Sequence, residues 1–542
     1  MSSAVARVRA AYDRIAAVRR PELWIGLRPQ EDAEAEARGI DARRAAGDAL
    51  PLAGTVLAVK GNIDVAGLPT TAGCPSFGRL PERDAPAVAA LRAAGATVLG
   101  TTNMDQFATG LVGTRSPYGA VHSATDADRV AGGSSSGSAV AVALGIADLA
   151  LGTDTAGSGR VPAAFNGVVG VKPTRGLVPT EGVVPACASL DCVSVFARTL
   201  PEARRAVALL AGPAAPARRP GPWRVAVASA AALGELAPGW QEAYEAACAR
   251  LAAAGARLRT LDLTPFTEAA ALLYEGAFVA ERYAAVGAFV ESGAADLDPT
   301  VAGIVTAARD VPAYRLFADR QRLAALHARA MTELGDADAL LLPTAPEHPT
   351  LAQVAADPVG VNARLGRFTN STNLLDLCAV AVPAGEVGGL PFGVMLLGRA
   401  HCDERVADVA ALLEPPHRVA VVGAHLSGQP LNHQLVALGA RLAATTATAP
   451  AYRLYALATE PPKPGLVRAA GGARVEAEVW ELPASALGAL TAAVPPPMAL
   501  GGVELADGTW LPGFLCTPGA LDGARDITAH GGWRAYLASA GR

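Results

Sequence analysis

The sequence has no long uninterrupted hydrophobic run, although 51% of its 542 residues are hydrophobic. Aromatic residues make up only 5% of the chain, so the apolar character comes mainly from alanine and valine. The charge-free stretch 130–147 carries GGSSSG in its middle, whereas a membrane-spanning helix needs about 20 predominantly apolar residues. We therefore expect no membrane span. The N-terminus also lacks an apolar signal segment, which predicts a cytoplasmic location.

Cysteine, histidine and charge patterns exclude further classes of protein. The seven cysteines are scattered and form no CxxC pair, so we expect free thiols and no disulfide framework. The eight histidines show no HxxxH or HExxH spacing, and we expect neither a metal nor a cofactor. The net charge is −4 without a run of basic residues. This pattern predicts a small-molecule substrate, with no nucleic-acid or membrane partner.

The length and the order of apolar runs predict two domains. A single core rarely grows to 542 residues. From Pro51 onward, short apolar runs alternate with Ala-rich helical segments, which is typical of an α/β domain. After the pair Pro415-Pro416, strand and turn residues dominate, and ARVEAEVWEL alternates apolar and polar positions. We expect an α/β domain over 1–416 and a smaller β-rich (α+β) domain over 419–540.

Two Gly/Ser loops carry the strongest chemical signal. The first, GGSSSG at 132–137, leads into an Ala/Val helix, and we expect its hydroxyls to cap that helix. The second, GTDTAGSGR at 152–160, follows a short strand and places Ser158 among glycines, where backbone N–H groups can form an oxyanion hole. A phosphate cradle is the alternative for the first loop. However, no GK[ST] follows it and no strand-GxGxxG-helix pattern fits.

A nucleophilic serine needs a proton acceptor, because its free hydroxyl is a weak nucleophile. The loop region contains no histidine and no GxSxG elbow. Lys60 ends the apolar run LAVK, and desolvation there would lower the lysine pKa toward the neutral amine that a base requires. The alternative is an ordinary strand-end lysine whose amine reaches solvent.

The joint pattern resembles the amidase signature family. The resemblance rests on VKGNIDVAGLPTTAGCP, TTNMDQFATG, GGSSSG, GTDTAGSGRVPA, LLLPTAP and GLPFGVMLLG, which are collinear in the sequence. It implies an α/β/α sandwich around a mixed sheet and a serine amide hydrolase. In such an enzyme Ser158 is the nucleophile, Ser134 is the proton relay that follows a cis peptide, and Lys60 is the base. The resemblance also implies an oxyanion hole formed by the backbone N–H groups of Thr155, Ala156 and Gly157.

The segment LLYEGAFVAERY bears on the substrate. Arg282 stands eight residues after Tyr274, and a helix continuing from 267 to 290 would place both on one broad face. A phenol beside a guanidinium suits a small carboxylate. The alternative is an exposed Arg282 paired with Glu281 or Glu275 beside a core tyrosine.

Within the family, the chain resembles most the members that hydrolyse allophanate. The shared segments are YEGAFVAERY, TAGSGRVPA and VVGAHLSGQPLNHQL. This resemblance implies that Tyr274, Arg282 and the backbone at Gly110 hold the substrate carboxylate, and that ammonia and N-carboxycarbamate are the first products. The sequence departs from the family at Gly61, where Asp is common, which puts a supporting role of that position in doubt.

The second unit resembles a γ-glutamylcyclotransferase-like module that is associated with decarboxylating that product. Its first turn contains His425 and His433, either of which suits an acid or base. Packed or solvated histidines are the alternative. Glu478 and Arg453 are further candidates, and ordinary groups on the sheet surface are the alternative for them.

Three other functions remain open. A malonamate-type or aliphatic amidase would keep the two serines and the lysine without needing Tyr274 and Arg282. An amidotransferase subunit that supplies ammonia for tRNA-bound substrates would leave the second unit without a role. A noncatalytic binding protein would be expected to have lost a catalytic residue, and all three are present. We also expect a homodimer, the commonest assembly of such enzymes. The resemblance implies a functional link to a urea carboxylase.

Overall fold

The computed structural model describes residues 3–212, 222–414, 416–482 and 484–540. The chain divides into two compact units, Met1–Leu413 and Glu414–Arg542. Pro415, one half of the Pro-Pro pair used to predict the boundary, lies outside the described residues. Within the described ranges, no helix combines the length and the apolar character needed to cross a bilayer.

The first unit is built on a mixed sheet. Its strands, in chain order, are β1 Trp24–Leu27, β2 Val56–Lys60, β3 Thr97–Thr102, β4 Leu149–Asp154, β5 Val169–Lys172, β6 Cys192–Ala197, β7 Arg224–Val227, β8 Arg257–Thr260, β9 Ala339–Pro343, β10 Leu377–Val387 and β11 Leu390–Arg399. The order across the sheet is β1-β3-β2-β4-β6-β5-β10-β11-β9-β7-β8. Strands β2, β3, β4 and β9 are buried at every position, as expected for a sheet covered on both faces.

The helices of the first unit cover this sheet. They are α1 Ala4–Val18, α2 Gln30–Ala45, α3 Pro86–Ala93, α4 Ser136–Ala143, α5 Val161–Phe165, α6 Leu200–Ala211, α7 Ala230–Leu233, α8 Trp240–Ala253, α9 Thr264–Ala271, α10 Ala280–Val290, α11 Pro299–Ala307, α12 Ala313–Leu334, α13 Leu351–Ala356, α14 Gly360–Leu365, α15 Ser371–Leu374 and α16 Asp403–Ala410. Helix α6 shows how the sequence defines a boundary, because Thr199 and Glu202 form a capping box at its start.

The helix predicted from 267 to 290 is interrupted, so that prediction is wrong. Helix α9 ends at Ala271 and α10 begins at Ala280, and the backbone at Gly276 between them is extended, with φ −93° and ψ −174°. The N–H of Ala277 donates to Asp319 Oδ2 at 2.7 Å. Asp319 belongs to α12, so a tertiary contact fixes the start of the second helical segment. A local helical pattern cannot reveal such a contact.

The second unit is rich in strands. These are β12 His417–Val421, β13 Arg441–Ala447, β14 Tyr452–Leu457, β15 Lys463–Arg468, β16 Glu476–Leu482, β17 Met498–Glu504, β18 Trp510–Cys516 and β19 Arg525–Asp526. One sheet has the order β13-β16-β12-β18-β17 and another the order β15-β14-β19. The helices are α17 Asn432–Ala437, α18 Ala484–Ala492 and α19 Trp533–Ala540. The alternating segment ARVEAEVWEL contains β16, as its period of two indicates.

A buried ion pair shapes the chain directly after β4. The side chains of Asp154 and Arg160 are both inaccessible to solvent, with 2.8 Å between Arg160 Nε and Asp154 Oδ2 and 2.9 Å between Arg160 Nη2 and Asp154 Oδ1. The Asp154 carboxylate also accepts the N–H groups of Gly157 at 2.8 Å and Gly159 at 3.0 Å. Burial raises the pKa of Asp154, but Arg160 and these donors outweigh burial and lower it. The loop therefore folds around a charged carboxylate.

Replacing Arg160 by Met should destabilise the first unit by about 3–5 kcal/mol, because it leaves the Asp154 carboxylate buried and unpaired. Urea unfolding of the first unit measures this loss. The matched control is Arg43→Met, since Arg43 and Asp48 form an ion pair with side chains 51% and 46% exposed, which should contribute at most about 1 kcal/mol. Equal, small losses in both variants would show that the buried pair does not hold the loop.

Candidate active site

Three strand ends bring the candidate residues to one edge of the sheet. Lys60 ends β2, which pairs in parallel with β3 on one side and β4 on the other. Asp105 follows shortly after β3, and Asp154 ends β4. The carboxyl ends of parallel strands meet at the same edge of a sheet, where ligands of α/β proteins commonly bind. The loop before α4 is tied to this edge as well.

Lys60 and Ser134 are in contact, as the resemblance implies. Both residues are fully buried. Lys60 Nζ donates to Ser134 Oγ at 2.8 Å and to Thr153 Oγ1 at 2.7 Å. The peptide bond between Gly133 and Ser134 is cis. The alternative interpretation, a lysine that reaches solvent from a strand end, is therefore wrong.

Burial lowers the pKa of Lys60 to about 7. The charges of Asp105, Asp191 and Asp154 oppose this shift, but they do not overcome the desolvation of the ammonium. A large fraction of Lys60 is therefore a neutral amine near pH 7, and a neutral amine can accept a proton.

The hydroxyls of the GGSSSG loop do not cap α4, contrary to the sequence-based expectation. Ser135, at the N-cap position, makes no side-chain capping hydrogen bond. Its hydroxyl donates to the carbonyl of Thr153 at 3.2 Å. The hydroxyl of Ser138, which follows the loop in the first turn of α4, donates to the carbonyl of Leu151 at 2.9 Å. These hydroxyls instead fasten the start of α4 to β4, which holds the Ser134 loop against the loop that contains Ser158.

Ser158 lies in the loop folded around Asp154 and is 3% exposed. Its hydroxyl has no hydrogen-bond partner in the described ranges, so it is not joined directly to Ser134. The preceding Gly157 has a φ of +132°, and a Cβ there would collide with Thr369. Only glycine fits this position, and the resulting sharp turn sets the direction of the chain at Ser158.

The three predicted oxyanion-hole donors differ in their bonding. The N–H of Gly157 already donates to Asp154 Oδ1, so this group serves the fold of the loop and is not free as expected. The N–H groups of Thr155 and Ala156 donate to no residue that the structure describes. The Thr155 hydroxyl donates to Asp191, which fixes the loop at that point. Thr155 and Ala156 thus retain N–H groups available to a ligand.

Arg282 and Tyr274 form one cluster, although not through a shared helical face. Tyr274 lies in the turn between α9 and α10, and its hydroxyl accepts from Arg282 Nη2 at 3.0 Å. Arg282 Nη1 donates to Thr109 Oγ1 at 2.8 Å. Because Gly110 follows Thr109 in the chain, the structure brings together all three residues predicted to hold the substrate carboxylate.

Arg282 is 2% exposed, yet no carboxylate lies within ion-pair distance of it in the described part of the chain. Glu281, one proposed partner, accepts instead from the N–H of Ser189 at 2.9 Å, so the exposed ion pair considered as the alternative is wrong. The negative charge of Asp191 favours the protonated forms of both Lys60 and Arg282. A buried guanidinium with neutral hydrogen-bond partners is costly unless a ligand supplies the opposite charge.

Gly61, the departure from the family pattern, has a steric reason. A Cβ at this position would collide with Ile25 Cδ1 and would lie 3.1 Å from the carbonyl oxygen of Thr102. Here Ile25 occupies the space that a larger side chain at position 61 would need.

The two histidine candidates of the second unit lie in different surroundings. His425 is partly buried in a cavity of about 170 Å³, stacks on Phe514 with 4.6 Å between ring centroids, and has its Nε2 3.0 Å from Gln434 Oε1. Its pKa is lowered, mainly by burial. His433 is exposed, its Nδ1 lies 2.8 Å from the carbonyl oxygen of Pro430, and it does not line the cavity. The geometry favours His425.

The other two candidates in this unit also differ. Glu478 is 2% exposed, so the interpretation as a sheet-surface group is wrong for it. It accepts from the N–H of Ser427 at 2.8 Å and from Arg534 Nη2 at 2.6 Å. This ion pair anchors the turn after β12, on which His425 lies. Arg453 forms only a half-exposed ion pair, as expected for a surface group.

Three residues near the candidate site were not singled out from the sequence. Thr153 lies within the quoted GTDTAGSGR motif, and its place at the end of a strand beside Lys60 could have indicated a role. Thr109 lies beside Gly110 in DQFATG. Asp191 follows no motif, and only the folded chain brings its carboxylate to Thr155.

Cysteines and metal-ligand residues show no further site. All seven cysteines are free thiols. Among the residues that the structure describes, no cluster of three or more His, Cys, Asp or Glu side chains is arranged to hold a metal ion.

Comparisons with known proteins match both units. The amidase family matches residues 6–407, and the allophanate hydrolase C-terminal domain matches residues 417–538. The urea amidolyase of Saccharomyces cerevisiae is 42% identical over 545 residues, which cover 90% of this chain and 30% of that protein. The 2-amino-5-chloromuconic acid deaminase of Comamonas testosteroni is 34% identical, over 72% of this chain and 87% of its own length.

Solved structures agree with this assignment. The structure of Kluyveromyces lactis allophanate hydrolase matches with a TM-score of 0.70 and 38% identity, covering 99% of this chain and 97% of that one. The chain spans about 30% of the length of the urea amidolyases that it matches. The predicted fold, a mixed-sheet α/β domain with a smaller β-rich domain, is confirmed. The chain belongs to the amidase family and carries an allophanate hydrolase C-terminal domain.

Proposed function

We propose that this protein hydrolyses allophanate in urea degradation. The observation that carries the proposal is the buried Arg282, whose guanidinium has as hydrogen-bond partners, among the described residues, only the neutral hydroxyls of Tyr274 and Thr109. Allophanate has a carboxylate at one end and a primary amide at the other. If Arg282 holds the carboxylate, the amide carbonyl is left for Ser158. The likeness to allophanate hydrolase along the whole chain supports this substrate.

The contact between Lys60 and Ser134 supports a proton path for acylation of Ser158. Neutral Lys60 accepts the proton of the Ser134 hydroxyl while Ser134 accepts the proton of Ser158. Ser158 Oγ then attacks the amide carbonyl carbon. The N–H groups of Thr155 and Ala156 stabilise the negative charge that develops on the carbonyl oxygen.

The tetrahedral intermediate collapses when its C–N bond breaks. The proton held by Lys60 returns through Ser134 to the leaving nitrogen, which departs as ammonia. Water then attacks the ester of Ser158 by the same proton path and releases N-carboxycarbamate. The balanced reaction converts the allophanate anion and water into ammonium and the N-carboxycarbamate dianion.

The second unit then decarboxylates this dianion, and His425 is the proton donor. Protonation of the nitrogen accompanies cleavage of one C–N bond, so the dianion and one proton give carbamate and CO2. Carbamate and a further proton give ammonia and a second CO2. We propose His425 rather than His433 as the proton donor because His425 lines the cavity and His433 does not.

Two alternative activities are less well supported. A malonamate-type amidase would use the same Ser158, Ser134 and Lys60, but it gives no reason for the allophanate hydrolase C-terminal domain at residues 417–538. An amidotransferase subunit would also leave that domain without a role. A noncatalytic binding protein would not need the lowered pKa of Lys60.

The proposal also includes two kinds of partner, a urea carboxylase and a second copy of this chain. A urea carboxylase would supply allophanate, and the likeness to urea amidolyases supports a functional link between the two activities. A closed homodimer stays a prediction based on the frequency of such assemblies among enzymes. Light scattering of the purified protein measures the assembly directly.

The substrate assignment is tested with two variants and two amides. Ser158→Ala should abolish ammonia release from allophanate. Arg282→Met should lower kcat/KM for allophanate by about ten- to a hundredfold, the effect of losing a hydrogen bond to a charged group. The same variant should leave hydrolysis of the uncharged propionamide unchanged. An equal loss on both amides would mean that Arg282 supports the fold and does not bind a carboxylate.

The base is tested by pH dependence. Protonated Lys60 cannot accept a proton, so kcat/KM for allophanate should fall tenfold per unit below about pH 7 and level off above it. Lys60→Arg introduces a guanidinium that cannot lose its proton, and it should lower kcat by at least about 10²–10⁴-fold, as should Lys60→Met. Substantial activity in Lys60→Arg would rule out this lysine as the base.

The role of His425 is tested by comparing its substitution with the same substitution at His433. His425→Gln should slow CO2 formation from allophanate and leave the first ammonia release unchanged, because the two steps use different units. His433→Gln is the matched control and should leave both rates unchanged. Rapid-quench measurement of ammonia and CO2 separates the steps. A slower second step in His433→Gln alone would reverse the assignment.

A further inference from the structure

Lysine is rare in this chain, and its positions are unusual. Of the 46 lysines and arginines, only three are lysines, namely Lys60, Lys172 and Lys463. Lys60 and Lys172 are fully buried, and Lys463 lines the cavity that contains His425. The chain thus uses arginine for its surface cations. Lysine differs from arginine in being a compact ammonium on a flexible stem, and Lys463 places such a charge beside the candidate acid of the second unit.

Lys463 and His425 lie on two adjoining walls of this cavity. Lys463 begins β15, and the next residue, Pro464, packs against the turn after β12, where a Cβ at Gly423 would collide with the Pro464 ring. Glycine at 423 therefore allows the strand to approach the turn that carries His425. Burial lowers the pKa of His425, and the positive charge of Lys463 lowers it further.

The cavity offers donors and positive charge but no negative charge. Its lining includes neither Asp nor Glu, and the ammonium of Lys463 has no hydrogen-bond or ion-pair partner in the part of the chain that the structure describes. The successive N–H groups of Gly423, Ala424 and His425 likewise donate to no described residue. At about 170 Å³, the cavity is smaller than the roughly 300–1,000 Å³ of drug-sized sites. These features fit a small anion.

We propose that Lys463 binds one carboxylate of the small dicarboxylate that the second unit decarboxylates. The inference rests on the proposed function and names the residue that selects the substrate of its second step. The carboxylate paired with Lys463 remains on the carbamate product. The other carboxylate lies toward the apolar wall formed by Leu431, Leu490, Val494 and Met498.

This arrangement favours the reaction in two ways. A carboxylate against an apolar wall is poorly solvated, whereas the CO2 that it becomes is neutral, so the wall favours the product side. The dianion also offsets the positive charge of Lys463, which raises the pKa of His425 when substrate binds. His425 is then protonated when its proton is needed, and the C–N electron pair takes up that proton at nitrogen as CO2 leaves.

Binding is tested by NMR of the full chain with isotope-labelled lysine, because only three lysine signals have to be assigned. Malonate serves as a stable dicarboxylate, and uncharged malonamide is its control. The Lys463 signal should shift saturably with malonate and stay unchanged with malonamide. Binding of malonate at Arg282 would be seen separately, through the Lys60 signal. A Lys463 signal that does not respond to malonate would overturn the proposal.

Turnover is tested with Lys463→Met, Lys463→Arg and the exposed control Arg474→Met. Lys463→Met should slow CO2 formation by about ten- to a hundredfold and leave the first ammonia release unchanged. Lys463→Arg should retain part of the second step, and Arg474→Met all of it. The pKa of His425, followed by NMR, should rise in Lys463→Met, which also shows that the unit is folded.

The outcomes separate this inference from the proposed function. If the unaltered protein releases no ammonia from allophanate, the proposed function itself fails. If it completes both steps and Lys463→Met forms CO2 at the same rate, only the role of Lys463 is wrong. A second step slowed equally in Lys463→Met and Lys463→Arg would also contradict a carboxylate-binding role.

Discussion

The candidate site depends on the burial of Lys60, whose amine forms a hydrogen bond with Ser134 away from water. The other residues of the site are arranged around this buried amine. Lys60 ends a central strand whose five residues are all buried. Desolvation favours its neutral amine, whereas three nearby carboxylates favour the ammonium. Arg160 neutralises one of those carboxylates, Asp154, through a bidentate ion pair.

The same ion pair connects the proposed base to the proposed nucleophile. The Asp154 carboxylate accepts the N–H groups on either side of Ser158, those of Gly157 and Gly159. One buried charge therefore fixes the loop that carries Ser158, the proposed nucleophile, and also affects the pKa of Lys60, the proposed base. This double role explains why a loop rich in glycine, which is otherwise flexible, keeps a defined shape here.

In the part of the chain that the structure describes, each unit has a cation without an anionic partner, at a site where we propose that a small carboxylate binds. In the first unit the cation is Arg282, buried and bonded to the hydroxyls of Tyr274 and Thr109. In the second unit it is Lys463, beside His425 in a small cavity. In each case the ligand that fits supplies the missing negative charge. The substrate and the first product of the proposed reaction both carry carboxylates, so in our proposal both sites bind the same chemical group.

Much of the secondary structure and the position of the two Gly/Ser loops could be predicted from the sequence, because local patterns determine them. Short-range periodicity indicates the apolar run that ends at Lys60 and the alternating strands of the second unit, and composition indicates the two Gly/Ser loops. The joint roles of Lys60, Ser134 and Ser158 are implied only by the resemblance to the amidase signature family. Three features could not be predicted in this way. The break between α9 and α10 depends on Asp319, a distant residue. The hydroxyl of Ser135 bonds across to β4, and the N–H of Gly157 is taken by Asp154, so both groups have partners that only the fold supplies.

We propose that Lys60 is a neutral base near physiological pH, and titration of Lys60 by NMR measures this most directly. Labelling with ¹³C at the lysine side chain gives signals from only three residues, and the Lys60→Arg variant identifies the one that belongs to Lys60. We expect the Lys60 signal to titrate with a pKa of about 7. A titration near the ordinary lysine value of about 10.4 would show that Lys60 stays protonated, and the proposed proton path would then be wrong.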